Sequence, residues 1–304
     1  MATGRTIKLN TGATIPALGL GTWQSKPNEV YDAVKTALKV GYRHIDAGKS
    51  PWIYGNEKEV GQAIKDSGIR REELFVTTKL WNHVHHPENI EKALETSLKN
   101  LQLEYLDLYL MHWPVAFEAS EAPFPKDANG KILLADVDFV VTWEAMTKLV
   151  DTGKVKAVGV SNFNIPKLKH LLSKSKFVPA MNQIELHPYL PQEELVKFCL
   201  NNNIQVTAYS PFGSTDSPLM KEKVIQEIAK RHNAPSEANV LVSWAIQRNT
   251  VVIPKSVTAS RIEKNFQDFE LSPEEMKEIS AVADKQKRFV DPSQSWGVDI
   301  FGKL

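Results

Sequence analysis

Short unbroken apolar runs recur along the chain, each followed by a stretch whose apolar residues return every three or four positions. The runs end on Gly21 after LGLG, Asp46 after RHID, Lys79 after FVTTK and His112 after LDLYLMH. They continue with Asn162 after AVGVSN, Gln183 after PAMNQ, Tyr209-Ser210 after VTAYS and Lys255 after VVIPK. Runs this short and this apolar suit strands buried on both faces, as in a parallel sheet. In the first intervening stretch, NEVYDAVKTALKVG, residues Val30, Ala33, Val34, Ala37 and Leu38 share one helical face. Gly41, Gly68 and Gly153 stand just past the last apolar position of their helices, where a left-handed cap is expected. Eight strand-then-helix units predict an α/β fold, a (β/α)8 TIM barrel, with its chemistry at the C-terminal ends of the strands.

Three segments stand apart from the repeat. TIKLNTGATIPAL is two alternating runs around Asn10-Thr11-Gly12, an N-terminal β-hairpin expected to plug the barrel floor. Pro114–Asp138 and Lys287–Leu304 are long excursions, read as active-site loops over the mouth. Their aromatics, Phe117, Phe124, Phe289, Trp296 and Phe301, suit an apolar pocket.

The 304 residues fit one barrel domain, 1–304, since no linker-like segment divides them. Lysine and arginine number 37 against 36 acidic residues, which gives no field for nucleic acid or an anionic membrane. No apolar run approaches a membrane span, MATGRTIKLNTG lacks a signal-type apolar core, and a cytoplasmic protein is expected. The one cysteine, Cys199 in ELVKFCL, excludes an intrachain disulfide and reads as a packing residue. Trp143 and Trp244 fall within helical repeats and read the same way.

Asp46, Lys79, His112 and a nearby tyrosine, Tyr54, would converge on one mouth. Carbonyl reduction by a nicotinamide needs a proton donor for the developing alkoxide. A phenol with a pKa of ~10 is a weak acid until a neighbouring ammonium lowers it. Lys79 would supply that ammonium and Asp46 would hold it, with Tyr54 as the acid. A neutral His112 would donate a hydrogen bond to the substrate oxygen. Trp23, Ile53, Trp81, His112, Trp113, Phe117 and Trp296 would line the substrate pocket, favouring apolar aldehydes and ketones.

The four polar residues sit among the segments GLGTW, YRHID, IYGNEKEVG, TTKLW, YLDLYLMHWP, GVSNF, NQIELHP, AYSPFG and IPKSVTASRIEKNF. In that order the segments resemble the aldo-keto reductase family over essentially the whole chain. The resemblance implies an NADPH-dependent reductase of aldehydes and ketones without a metal, with the tetrad Asp46, Tyr54, Lys79 and His112. It implies Tyr209 stacked on the nicotinamide and Ser161, Asn162 and Gln183 on its carboxamide. Gly21, Thr22, Trp23, Asp46, Ser210, Pro211, Phe212, Ser214, Asp216 and Pro254 would border the dinucleotide, and Asn265 its adenine. A small-molecule carbonyl substrate is then the expected partner, and a monomer or weak homodimer the expected assembly.

The cofactor has support of its own in the residues. No GxGxxG opens a helix, but Lys255, Ser256, Val257, Thr258 and Arg261 bring two cations and two hydroxyls to the end of the last strand. With the N–H groups of the next helix, that set suits a phosphate monoester such as an adenosine 2′-phosphate, hence NADPH/NADP+. Lys264 replaces the glutamate that relatives often carry there.

One feature departs from the family pattern. Seven residues, Ala47 to Ile53, separate Asp46 from Tyr54 where relatives have four. The extra chain reaches up to ~10 Å, and turn formers Gly48 and Pro51 bracket it, which predicts an outward bulge that returns Tyr54 to its place. The competing expectation is a barrel that binds NADPH with weak or no turnover, with Lys49 or Trp52 intruding. A second rival is a metal-dependent hydrolase or isomerase using Asp46, His112, Glu185 and His187. His83, His85 and His86 form a polar loop without supporting ligands, and no metal is expected there.

Overall fold

The computed structural model describes residues 4–23, 25, 28–48, 56–214 and 217–302. Tyr54, Ile53 and Asp216, together with Lys49 and Trp52, lie outside the described residues.

β1 (Thr6–Lys8) and β2 (Thr14–Pro16) form an antiparallel hairpin whose turn includes Gly12 at φ 87°. Eight parallel strands follow: β3 (Leu20–Gly21), β4 (His44–Asp46), β5 (Phe75–Leu80) and β6 (Leu108–Met111), then β7 (Val158–Ser161), β8 (Met181–Glu185), β9 (Gln205–Tyr209) and β10 (Val251–Val252). Each pairs with the next in sequence. The sheet then closes on itself, because Gly19 N donates to Val252 O at 2.9 Å, Val252 N to Ala17 O at 2.8 Å and Gly21 N to Pro254 O at 3.1 Å. The fold is a TIM barrel.

Helices alternate with the strands: α1 (Glu29–Val40), α2 (Glu57–Ser67), α3 (Pro87–Leu101), α4 (Phe139–Lys148), α5 (Ile165–Lys174), α6 (Glu193–Asn201) and α7 (Lys223–Arg231). The extra helix α8 (Glu237–Gln247) precedes β10, and α9 (Ala259–Asn265), α10 (Pro273–Ser280) and α11 (Ser293–Trp296) close the chain. The α1 face read from the sequence is the buried one, and Trp143, Trp244 and Cys199 are packed inside. Gly61 lets α2 and α3 meet, since a Cβ there would lie 2.3 Å from the Leu101 carbonyl oxygen.

Side chains alternate across a strand, so every second residue faces the barrel axis. On that inner face Phe75, Leu108, Leu110, Ala157, Met181, Val251 and Ile253 pack with Leu9 and Ile15 of the hairpin. The hairpin is thus the floor plug. Two or four residues further along the same series come Lys79, His112, Ser161 and Gln183, while Lys255, two beyond Ile253, is already exposed at the rim. The interior is apolar near the floor and polar at the mouth, and strand parity alone carries the functional groups inward.

Candidate active site

At the mouth, Lys79 Nζ donates to Asp46 Oδ1 at 2.6 Å, with both side chains 4% exposed. Gln183 Nε2 donates to Asp46 Oδ2 at 2.7 Å, and Gly48 N to Oδ1 at 3.1 Å. Burial alone would raise the Asp46 carboxyl pKa, but the Lys79 ammonium and these hydrogen bonds outweigh it and hold Asp46 below its usual value. The desolvation cost of a buried pair is offset only where further hydrogen bonds satisfy it, as Gln183 and Gly48 do for the Asp46 carboxylate.

His112, at the end of β6, is half-buried, with its ring edge-on to Trp81 at 5.0 Å between centroids. Burial, reinforced by the nearby Lys79 charge, pushes its pKa well below the ordinary histidine value, so the ring is neutral. Asn162 connects it to the rest. Asn162 Nδ2 donates to the His112 carbonyl at 3.0 Å, and Oδ1 accepts from the Tyr209 hydroxyl at 2.8 Å. Ser161 Oγ donates to the Gln183 carbonyl at 2.8 Å. Both Asn162 and Ser210 adopt left-handed backbone, φ 64° and 49°, an uncommon conformation of the kind that gathers at functional sites.

Thr22 is buried and donates to the Asp46 carbonyl at 2.9 Å; Gly21 meets Lys255 across the closing seam. Trp23 is 44% exposed at the rim. Pro211 and Pro254 are buried, Phe212 is partly buried, and Ser214 is exposed on the loop after β9. Ser256 is buried and its hydroxyl accepts from Thr258 N at 3.2 Å, while Val257 is half-buried. Lys255 and Arg261 are exposed, and Arg261 N donates to the Thr258 carbonyl at 3.0 Å in the first turn of α9. Asn265 is buried near the end of α9.

Trp81, Trp113, Phe117 and Trp296 come together with Val115, Ile132 and Ile300 as one apolar cluster beside His112. Trp296 stands edge-on to Phe117 at 5.0 Å and to Trp113 at 5.2 Å. Phe117 is fully enclosed, so it backs the other rings rather than facing the mouth. The Pro114–Asp138 excursion folds as a flap, with bridges Phe117 to Leu134 and Lys126 to Ile132, and its Pro123 carbonyl accepts from Trp81 Nε1 at 2.8 Å.

A profile of the aldo/keto reductase family matches residues 17–284. The chain belongs to the aldo/keto reductase family. It is 52% identical over 301 residues to the glycerol 2-dehydrogenase (NADP(+)) of Saccharomyces cerevisiae, covering 95% of each chain. It is 50% identical over 301 residues to aldo-keto reductase family 1 member A1 of Bos taurus, covering 94% of this chain and 91% of that one. Among solved structures, the aldose reductase of Schistosoma japonicum superposes with a TM-score of 0.92 at 43% identity, over 98% of both chains.

In this family member one residue, His44, gains importance only from the structure, and two others, Glu185 and His187, take a different part from the one the rival scheme gave them. His44 lies fully buried on the inner face of β4, with Nε2 3.3 Å from Thr77 Oγ1. It fills the space that Gly19 leaves, since a Cβ on Gly19 would sit 2.5 Å from His44 Nδ1. Glu185 and His187, candidate metal ligands in the rival scheme, instead bind each other at 2.8 Å, and Glu185 also accepts two backbone N–H groups. Among the described residues, no three of His, Cys, Asp or Glu are placed to hold a metal ion. Burial pushes the Cys199 thiol up to about 12, which suits packing rather than nucleophilic work.

Proposed function

We propose that this protein reduces aldehydes and ketones to alcohols with NADPH. The observation that carries the reading is the buried Lys79–Asp46 pair, locked by Gln183 and facing a neutral His112 at the mouth of the barrel. The names of two relatives, a glycerol 2-dehydrogenase (NADP(+)) and an aldose reductase, agree with carbonyl–alcohol chemistry.

The residues fit a dinucleotide at both of its ends. Ser161, Asn162, Gln183 and Tyr209 place amide and hydroxyl groups beside Asp46, with the Tyr209 ring half-exposed. Lys255, Ser256, Thr258 and Arg261 gather two exposed cations and two hydroxyls after the last strand, a donor set that suits a 2′-phosphate. A reduced nicotinamide bound there supplies the hydride for the carbonyl carbon.

The protein's own groups do the rest. Asp46 keeps Lys79 charged and fixed. Lys79 stabilises the phenolate of Tyr54, which makes Tyr54 the better proton donor to the alkoxide oxygen. His112, neutral, donates a ring N–H to the same oxygen and orients the carbonyl. Trp81, Trp113 and Trp296 hold the apolar part of the substrate and exclude water.

NADPH consumption with an activated aromatic aldehyde, run beside a fluorescence titration of NADPH, tests the reading. Turnover with binding supports it. Tight binding without turnover favours the binding-only barrel, with the long Asp46–Tyr54 connection displacing the acid.

A further inference from the structure

Glu185, the last residue of β8, is a buried carboxylate that the proposed reaction does not use. Its Oε1 accepts from Phe289 N at 2.7 Å and from His187 Nε2 at 2.8 Å, and its Oε2 accepts from Val290 N at 2.8 Å. Two successive amides of the C-terminal segment are therefore held by one carboxylate planted on a barrel strand. Charge-assisted hydrogen bonds of this kind are stronger than neutral ones and fix direction as well as distance.

The same segment is fastened on either side of that point. Upstream, Lys287 N donates to the Tyr189 carbonyl at 3.0 Å, and Glu222 accepts from both Tyr189 and Lys285. Downstream, Asn164 Nδ2 donates to the Phe301 carbonyl at 3.0 Å, and Lys167 to that of Ile300. Between these ties the chain delivers Trp296 into the rings of Trp113 and Phe117. The Phe289 ring meanwhile packs on the loop after β9, where a Cβ on Gly213 would come within 2.8 Å of it.

The outer ties involve exposed or half-exposed groups, whereas Glu185 and His187 are wholly enclosed. Water cannot replace an acceptor lost there, so the backbone N–H groups of Phe289 and Val290 would be left unsatisfied or would leave the barrel. We propose that Glu185 is a positioning residue that sets the placement of the C-terminal segment, and through Trp296 the affinity for aromatic carbonyl compounds. The inference rests on the reductase reading for its substrate, but the anchoring itself can be measured without turnover.

Glu185→Gln is the variant of choice, because it keeps shape and one acceptor while turning the other into a donor that opposes a backbone N–H or His187. Glu185→Ala serves as the harsher companion, and the melting temperature of each checks that the barrel is folded. In the free protein, hydrogen exchange at Phe289 and Val290 should accelerate at least about tenfold in Glu185→Gln, with barrel-strand amides unchanged. In turnover with NADPH, KM for a bulky aromatic aldehyde should rise about tenfold while a three-carbon aldehyde changes less than about twofold, since only the former reaches Trp296. Unchanged exchange at the two amides overturns the anchor. Faster exchange with an unchanged ratio of the two KM values overturns the link to specificity and leaves a brace only. If the unsubstituted protein turns over neither aldehyde, the reductase reading fails, and the exchange rates decide the anchor by themselves.

Discussion

His44 offers the sharpest quantitative check on the buried interior. Burial lowers its pKa to about 4, with the Lys79 charge pushing the same way and the Asp46 charge opposing. In the unfolded chain the same imidazole takes a proton near ~6.5. Between those values the unfolded state binds more protons than the native state, so stability rises with pH. The contribution is fully present above ~6.5, is lost as pH falls toward about 4, and does not fall further once the folded ring protonates. Between pH 7 and pH 4.5 the two pKa values give a loss of about 2 kcal/mol attributable to this one ring. Urea unfolding of the unsubstituted protein and of His44→Asn at both pH values isolates it. The cost of lost packing against Phe75 and Gly19 enters the variant at both pH values and cancels in the difference. The variant should therefore lose about 2 kcal/mol less on acidification than the parent. Equal losses in the two proteins would refute a neutral, dry His44 beneath the Lys79–Asp46 pair.

Other consequences are simpler to read. Tyr54→Phe should keep NADPH binding in the fluorescence titration and lose nearly all reduction; an active variant would mean the acid is misassigned. Lys79→Met should lower kcat by ~10³-fold at pH 7 with NADPH affinity little changed, measured by single-turnover reduction. The neutral state of His112 means that the rate of reduction should show no step near pH ~6.5, where an ordinary histidine would titrate. Arg261→Ala should raise KM for NADPH by about 10- to 100-fold and leave that for NADH nearly unchanged, if the guanidinium meets a 2′-phosphate. Gly61→Ala should cost about 3 kcal/mol in urea unfolding, because the new methyl meets the backbone of Leu101 rather than a side chain that can turn away.

The barrel was legible in the sequence because its strands are buried on both faces, so each appears as an apolar run, and because helices such as α1 carry an unmistakable apolar stripe. Asp46, Lys79, His112 and Gln183 were legible for the same reason: a polar residue at the end of such a run interrupts a pattern. β3 and β10 are shorter than their runs, at two residues each, and meet at the seam through isolated bridges, Leu18 with Val252 and Gly21 with Lys255. Glu185 was visible as a strand-end polar group, but besides His187 its partners are backbone amides more than a hundred residues away, and an amide has no letter in a sequence. Likewise Trp81, Trp113 and Trp23 look alike as residues after strand ends. The flap and the C-terminal segment cover the first two, at 4% and 5% exposure, and leave Trp23 open.

The hairpin at the floor has an effect at the opposite end of the barrel. Leu9 and Ile15 stop the bottom of a tube whose walls carry His44, level with Phe75, and above it the Lys79–Asp46 pair, so apolar packing keeps bulk water from those charges on the floor side. The strength of an ion pair depends on the polarisability of everything around it, including atoms that never touch substrate. A seal made by the hairpin thus acts as insulation for the Lys79–Asp46 charges, and loosening it would weaken their electrostatic grip without moving either of them.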